Sequence, residues 1–153
     1  MYFDIPPLSI KIKRLRPEAR LPRAGSPGSA GQDLCACLDR PVEIHPGQTV
    51  KIPTGIAIQL PSAGLAAFVY ARSGLGTKHG IVPANCVGVI DSDYRGEIMV
   101  SLANHSDRNF AVSPGDRIAQ LVVAPVLRPV WEETDSLEDT QRGAGGFGST
   151  GIG

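Results

Sequence analysis

Eighteen glycines and thirteen prolines cut this 153-residue chain into runs too short for an ordinary helix. A helical period becomes legible only over about ten or more residues, whereas a strand needs four to eight. Between the breaks lie short alternating or β-branched runs: Ser9–Lys13, Thr49–Pro53, Gly55–Leu60, Gly64–Tyr70, Glu97–Leu102 and Ile118–Val123. Many short strands separated by turn residues predict an all-β barrel or sandwich. Only Gly74–His79 reads as a helical turn or two, weakened by its own glycines. No repeat or linker divides the chain, so a single domain over 1–153 is expected. It would have an N-terminal arm at 1–9, a barrel over 10–131, and a polar tether with a glycine-rich tail over 132–153.

Composition removes several classes of function. Fifteen basic and fifteen acidic residues leave no net charge, so no broad footprint for nucleic acid or membrane is expected. No apolar run reaches membrane-span length, and Met1–Pro7 lacks the regions of a signal peptide. Cys35, Cys37 and Cys86 are odd in number, and Cys-Ala-Cys is poorly spaced for a zinc knuckle. They are expected to be reduced, small, buried residues of a cytoplasmic protein.

The end of the chain, Arg142-Gly-Ala-Gly-Gly-Phe-Gly-Ser-Thr-Gly151, has no apolar face to bury in a core. It nevertheless carries a cation, an aromatic ring and two hydroxyls, the groups that pair with phosphate and cover a base. Such a tail reads either as a mobile lid over a nucleotide triphosphate or as a disordered Gly/Ser terminus. It has no Walker lysine and no following helix, so it is not a P-loop.

Four internal segments share its chemistry: Ala30-Gly-Gln-Asp-Leu34, Ala71-Arg-Ser-Gly-Leu75, Gly88-Val-Ile-Asp-Ser-Asp-Tyr-Arg-Gly-Glu-Ile98 and Gly115-Asp-Arg-Ile-Ala-Gln-Leu121. With the tail, in this order, they resemble the five motifs of trimeric deoxyuridine triphosphatases (dUTPases, dUTP diphosphatases). The resemblance runs from about Ile10 to the end. It implies a jelly-roll-like β-barrel of the dUTPase β-clip type, a homotrimer with sites shared between subunits, and Mg²⁺-dependent hydrolysis of dUTP to dUMP and pyrophosphate. That activity would supply dUMP for thymidylate synthesis and keep uracil out of DNA.

Each segment has a chemical and a plain reading. Gly88–Ile98 reads as a β-hairpin with an Asp/Gly turn. In an isolated Asp-x-Asp the carboxylates are ordinary turn formers. By the resemblance, Val89, Ile90, Asp91 and Met99 line a uracil slot, Asn85 adds an amide, and Tyr94 lies against the sugar. Asp91 is the candidate base that orients water toward the α-phosphorus. Arg72, Ser73 and Gly74 stand where a strand meets the short helix, a natural phosphate site, although Ser73 also reads as a helix cap. His79 reads as packed rather than catalytic.

Asp33 is a candidate for reaching Mg²⁺ through water, or a turn residue beside a strand. Gln32 stands where the family commonly has a larger apolar or aromatic residue, which puts local packing in question. Gln120 suits an α-phosphate or the attacking water, and Asp116 and Arg117 read as a turn and a structural ion pair. In the tail, Arg142, Ser149 and Thr150 would hold the outer phosphates. Phe147 would stack on uracil, and Gly146 and Gly148 would let the backbone approach phosphate. Two alternatives stand beside this reading: a dCTP deaminase-like enzyme, and a non-catalytic protein that senses dUTP.

Overall fold

Twelve strands and one helix run through residues 7–146, the part of the chain that the computed structural model describes. In chain order they are β1 (Lys11–Arg14), β2 (Arg23–Ala24), β3 (Gln32–Cys35), β4 (Val42–Ile44), β5 (Thr49–Pro53), β6 (Ile56–Gln59) and β7 (Leu65–Tyr70). There follow α1 (Ser73–His79), β8 (Ile81–Pro83), β9 (Gly88–Ile90), β10 (Met99–Asn104), β11 (Phe110–Val112) and β12 (Arg117–Pro125). All ladders are antiparallel. The largest sheet has the order β2-β3-β12-β7-β9, and a second has the order β5-β10-β8. Two pairs, β1-β6 and β11-β4, complete the all-β, jelly-roll-like fold.

Burial alternates as expected in β5 and over Glu97–Leu102, whereas Ile56, Ala57 and Ile58 of β6 are all buried. Ile52, Ile56, Val100, Leu102, Val112 and Ile118 all point into one core with Leu34, Ile44 and Ile81. Each such side chain stabilises the fold by about 1.5–3 kcal/mol relative to exposure. Gly55 is the tight point of that core. Its φ of +71° favours glycine, and a Cβ there would meet the Ala19 Cβ and Cys37 Sγ at 2.7 Å. The turn it makes is tied across the core, where the Thr54 hydroxyl donates to the Ile98 carbonyl at 2.6 Å.

Three expectations need correction. Residues 88–98 are not a β-hairpin: β9 pairs with β7 and β10 pairs with β5 and β8, so the connection crosses from one sheet to the other. The alternation at the start of the chain feeds the core only through Ile10, which packs against its edge: all of β1 is exposed, and Ile12 lines an open apolar groove with Leu8 and Leu21. Of the cysteines only Cys37 is buried; Cys35 is half-buried, and Cys86 is exposed with a φ of 61°. Gln32 is exposed on β3, so it displaces no core side chain. Regular structure ends at Pro125, and residues 126–142 run on exposed or nearly so.

Asn104 shows how a buried polar group is kept. It is 1% exposed and makes four side-chain bonds. Its amide nitrogen donates to the carbonyls of Ile44 and Arg108, and its oxygen accepts from the Ser106 N–H and hydroxyl. Asn104→Ala removes all four bonds, of which the one to the Ile44 carbonyl is buried and the others part-buried. It is expected to lower stability by about 2–4 kcal/mol in denaturant unfolding. A midpoint equal to that of the parent would contradict the account of this network.

Candidate active site

The crossing between β9 and β10 opens a cavity of about 320 Å³. Asn85, Val89, Ile90, Asp91, Tyr94 and Met99 all line it, together with Lys51, Glu97 and Ser101. β9 is the edge of its sheet, so half of its backbone groups face away from β7 and have no ladder partner among the described residues. Ile90 is buried and anchors the strand, while Val89 is 62% exposed. Tyr94 is held from two sides. Its ring lies over Gly96, where any Cβ would collide with it, and its hydroxyl donates to the Glu97 carbonyl at 2.9 Å. Glu97 in turn accepts from the Gly55 N–H at 2.7 Å, which ties the loop to the core turn. The Asp91 carboxylate is exposed, with no ion pair or hydrogen bond among the described residues. An unengaged carboxylate is able to accept a proton or orient a water.

A second cluster stands where β3, β12 and the β7–α1 junction meet. Asp33, whose side chain is 19% exposed, takes a bond from Arg72 Nε at 2.7 Å and from Arg117 Nη1 at 3.1 Å. Arg72 also donates to the Arg117 carbonyl at 3.2 Å, so its fork is fixed while other N–H donors stay available. Gln120, paired in register with Asp33, donates to the Ala71 carbonyl at 2.9 Å. Its place requires Gly31, because a Cβ there would run into the Gln120 amide.

The capping reading of Ser73 does not hold. Arg72 occupies the N-cap position, makes no side-chain cap bond, and Ser73 is the first helical residue. The first N–H to bond back along the helix is that of Gly76, to the Arg72 carbonyl. The N–H groups ahead of it, at Ser73 and Gly74, are therefore left for other acceptors. His79 packs against Phe110 with ring centroids 5.3 Å apart, in line with its structural reading.

Arg117 is the residue that the sequence reading misplaced. Its ion pair is with Asp33, whereas Asp116 caps its own turn by accepting from the Ser113 N–H. In a regular strand, residues 117 and 120 face opposite sides. A shift in register between Arg117 and Ala119 brings both beside Asp33. A bulge leaves no signal in composition. Lys51 and Glu97 were also missed: Lys51 lies far in sequence from the segment it faces, and nothing in the Gly88–Ile98 segment sets Glu97 apart from its neighbours.

The two clusters do not share a cavity: the lining of the first includes none of Asp33, Arg72, Ser73, Gly74 or Gln120. Arg142 is exposed and turns onto its own tail, donating to the Gly145 carbonyl at 2.8 Å, with Gly146 beyond it. Phe147, Gly148, Ser149 and Thr150 lie outside the described residues. Among the described residues no group of three or more His, Cys, Asp and Glu side chains could hold a metal. Asp33, with two of its lone-pair directions taken by arginine, retains room for one contact through water.

Comparison with known proteins points the same way. A family model described as dUTPase matches residues 17–151. The deoxyuridine 5'-triphosphate nucleotidohydrolase of Desulfitobacterium hafniense is 54% identical over 147 residues, 95% of this chain and 97% of the relative. Among solved structures, the dUTPase of Staphylococcus bacteriophage 80alpha with dUPNHPP is 26% identical, with a TM-score of 0.84 over 94% of this chain and 99% of that one. The dUTPase from phage phi11 of S. aureus, described for the coordination of a structural Mg(II) ion, is 22% identical with a TM-score of 0.77. That match covers 86% of this chain and 99% of the phage protein, and it speaks for the fold alone.

Thiol reactivity tests the geometry of this region. Burial pushes the Cys35 thiol above its ordinary range, with the neighbouring Asp33 charge adding to the rise and Arg20 and Arg117 opposing it. The thiolate is the reactive form, so a raised value slows reaction at neutral pH. Iodoacetamide at pH 7.5 is expected to modify exposed Cys86 first and Cys35 later, at a rate that climbs with pH. Peptide mass mapping that found Cys35 modified first would contradict the burial described.

Proposed function

The chain belongs to the dUTPase family, and we propose that it hydrolyses dUTP to dUMP and pyrophosphate at a site built from both clusters. The observation that carries the proposal is the gathering of Asn85, Val89, Ile90, Asp91, Tyr94 and Met99 around one cavity beside an unpaired backbone edge. A strand edge offers N–H and C=O groups at fixed spacing, which suits the donor and acceptor pattern along the uracil edge. Hydrogen-bonded recognition of this kind rejects an analogue that leaves polar groups unpaired by far more than an apolar pocket could. A close backbone wall leaves no space for the thymine methyl. Tyr94, fixed over Gly96, meets the sugar where a 2′-hydroxyl would lose its water.

The triphosphate then runs to Arg72, the N–H groups of Ser73 and Gly74, and Gln120. Asp91 orients the water that attacks the α-phosphorus and accepts its proton, a contribution of about 10²–10⁴-fold. Arg72 and, from the tail, Arg142 stabilise the charge that develops on the phosphate oxygens. Ser149 and Thr150 hold the outer phosphates, Gly146 and Gly148 allow the backbone close to them, and Phe147 covers the base. Mg²⁺, held by the triphosphate and reached by Asp33 through water, would supply charge compensation and in-line alignment. The Asp33 carboxylate, with acceptor positions left beside those that Arg72 and Arg117 occupy, can take a bond from such a water.

The separation of the two clusters supports a homotrimer in which cavity, phosphate groups and tail come from different subunits. Exposed Leu127, Val130 and Trp131, and the apolar groove beside β1, are surfaces that such an assembly would cover. Three unpaired cysteines suit a cytoplasmic location, and no helix of the described residues is long and apolar enough to cross a membrane. The product would feed thymidylate synthesis, and removal of dUTP would keep uracil out of DNA.

Pyrophosphate release measured across dUTP, dTTP, dCTP and UTP, with Mg²⁺ and with chelator, tests the proposal. Turnover is expected for dUTP with Mg²⁺, with little for the others. Comparable turnover of dTTP or UTP, or ammonia released from dCTP, would overturn it. Asp91→Asn keeps shape but not basicity, so kcat should fall by about 10²-fold or more with KM little changed. An unchanged kcat would assign the water to another group.

A further inference from the structure

The loop Asp91-Ser-Asp-Tyr-Arg-Gly-Glu97 contains no buried residue, so packing alone does not fix its path. Arg95 turns back on the loop itself, donating to the carbonyls of Ser92 at 2.8 Å and Tyr94 at 2.9 Å. Arg128 reaches the Ser92 hydroxyl only at 3.4 Å, in an exposed position. Among the described residues, one close side-chain bond runs from this loop to the barrel: the Glu97 carboxylate accepts from the Gly55 N–H at 2.7 Å. That anchor is firm. The Cβ position of Gly55 is closed by Ala19 and Cys37, and its carbonyl accepts from the Leu15 N–H at 2.8 Å. The peptide between Glu97 and Ile98 is therefore held twice. Its N–H, that of Ile98, donates to the Ile56 carbonyl at 2.9 Å, and the Glu97 side chain ties the residue before it to the turn. The carbonyl of the same peptide receives the Tyr94 hydroxyl at 2.9 Å.

We infer that Glu97 is a positioning residue for sugar selection, given the reading that Tyr94 meets the sugar. Its carboxylate, fixed on Gly55, aims its own carbonyl at the Tyr94 hydroxyl and so holds the ring as a wall of the cavity. Tyr94 is 45% exposed, so burial does not keep the ring in place against a ligand. Its hydroxyl bond and the close approach to Gly96 do so instead. An exposed bond between neutral groups exchanges readily for water, and it holds a ring only where the acceptor cannot move. Glu97 supplies that condition. Without its carboxylate the carbonyl is free to swing, the ring can leave the sugar, and space opens for a 2′-hydroxyl. The negative charge is not the operative feature. An amide oxygen at the same reach also accepts from the Gly55 N–H, so glutamine serves at this position where alanine does not.

Calorimetric binding of dUMP and UMP to the full chain tests the inference without any turnover, so a failure of the proposed hydrolysis does not enter it. The parent should bind dUMP more tightly than UMP. Glu97→Ala should lower that preference about tenfold, the scale of one lost hydrogen bond, and Glu97→Gln should keep it. Tyr94→Phe retains the ring without the hydroxyl and should lower the preference by a similar factor. Combining it with Glu97→Ala should add little, because both changes break the same path. Thermal unfolding of each variant is followed alongside. Equal weakening of dUMP and UMP in Glu97→Ala, with a lowered midpoint, would make Glu97 a stabilising residue only and overturn the inference. A preference lost in Glu97→Gln as fully as in Glu97→Ala would also overturn it. Tyr94→Phe with the parental preference would do the same, whether or not Glu97→Ala folds. A parent with no preference would overturn the sugar reading itself, whereas a selective parent with an equally selective Glu97→Ala would overturn this inference alone.

Discussion

Between Ile90 and Met99 the chain leaves the five-stranded sheet and enters the three-stranded one, and the outer edge of β9 is left without a partner. Backbone N–H and C=O groups are strong and obligatory partners, so an edge left open beside a cavity is a site for a ligand of matching pattern. Had β9 and β10 closed a regular hairpin, those groups would have been spent on each other and the cavity would not exist. The loop between them is kept in place by side chains that serve the core: Thr54 on Ile98, Glu97 on Gly55, and Tyr94 over Gly96. The same contacts that finish the fold set the shape of the pocket.

The cluster around Asp33 rests on a different principle, an ion pair shared three ways. A half-buried carboxylate between two guanidinium groups gives each arginine a fixed orientation before any ligand arrives. Such preorganisation is what makes a charged group effective in stabilising developing charge. Gln120 is aligned by a bond to the Ala71 carbonyl and by the absence of a Cβ at Gly31. Glycine and aspartate in the Ala30–Leu34 motif are thus parts of one device: one leaves room for Gln120 and the other fixes Arg72 and Arg117.

Much of this was legible in the sequence, and the failures have physical causes. The buried strands β5, β6, β7, β10 and β12 announced themselves because one or both faces meet the core, and alternation or density of apolar residues records that. The residues that line the cavity were named from the Gly88–Ile98 segment and its resemblance, and the fold brings six of them together. The hairpin was misread because strand pairing is a long-range property: nothing between 88 and 104 says that β9 prefers β7 and β10 prefers β5. Arg117 was read as a structural ion pair, but its partner Asp33 was not foreseen because a bulge reverses the side it faces, and β1 was misjudged because an alternating strand looks the same whether its apolar face meets a core or an open groove. Glycines at 31, 55 and 96 read as turn signals, whereas their structural role is close approach by Gln120, Cys37 and Tyr94.

The account stands or falls on whether the cavity and the tail that completes it belong to different chains. Mixing Asp91→Asn with Arg142→Ala, each inactive alone, under conditions that exchange subunits tests this directly. A cavity from the Arg142→Ala chain can meet a tail from the Asp91→Asn chain, and about a quarter of the sites should then be whole by symmetry counting in a closed ring. The account predicts pyrophosphate release from dUTP at about that fraction of the parental rate. No recovery, with exchange established by the mass of the mixed assemblies, would contradict it.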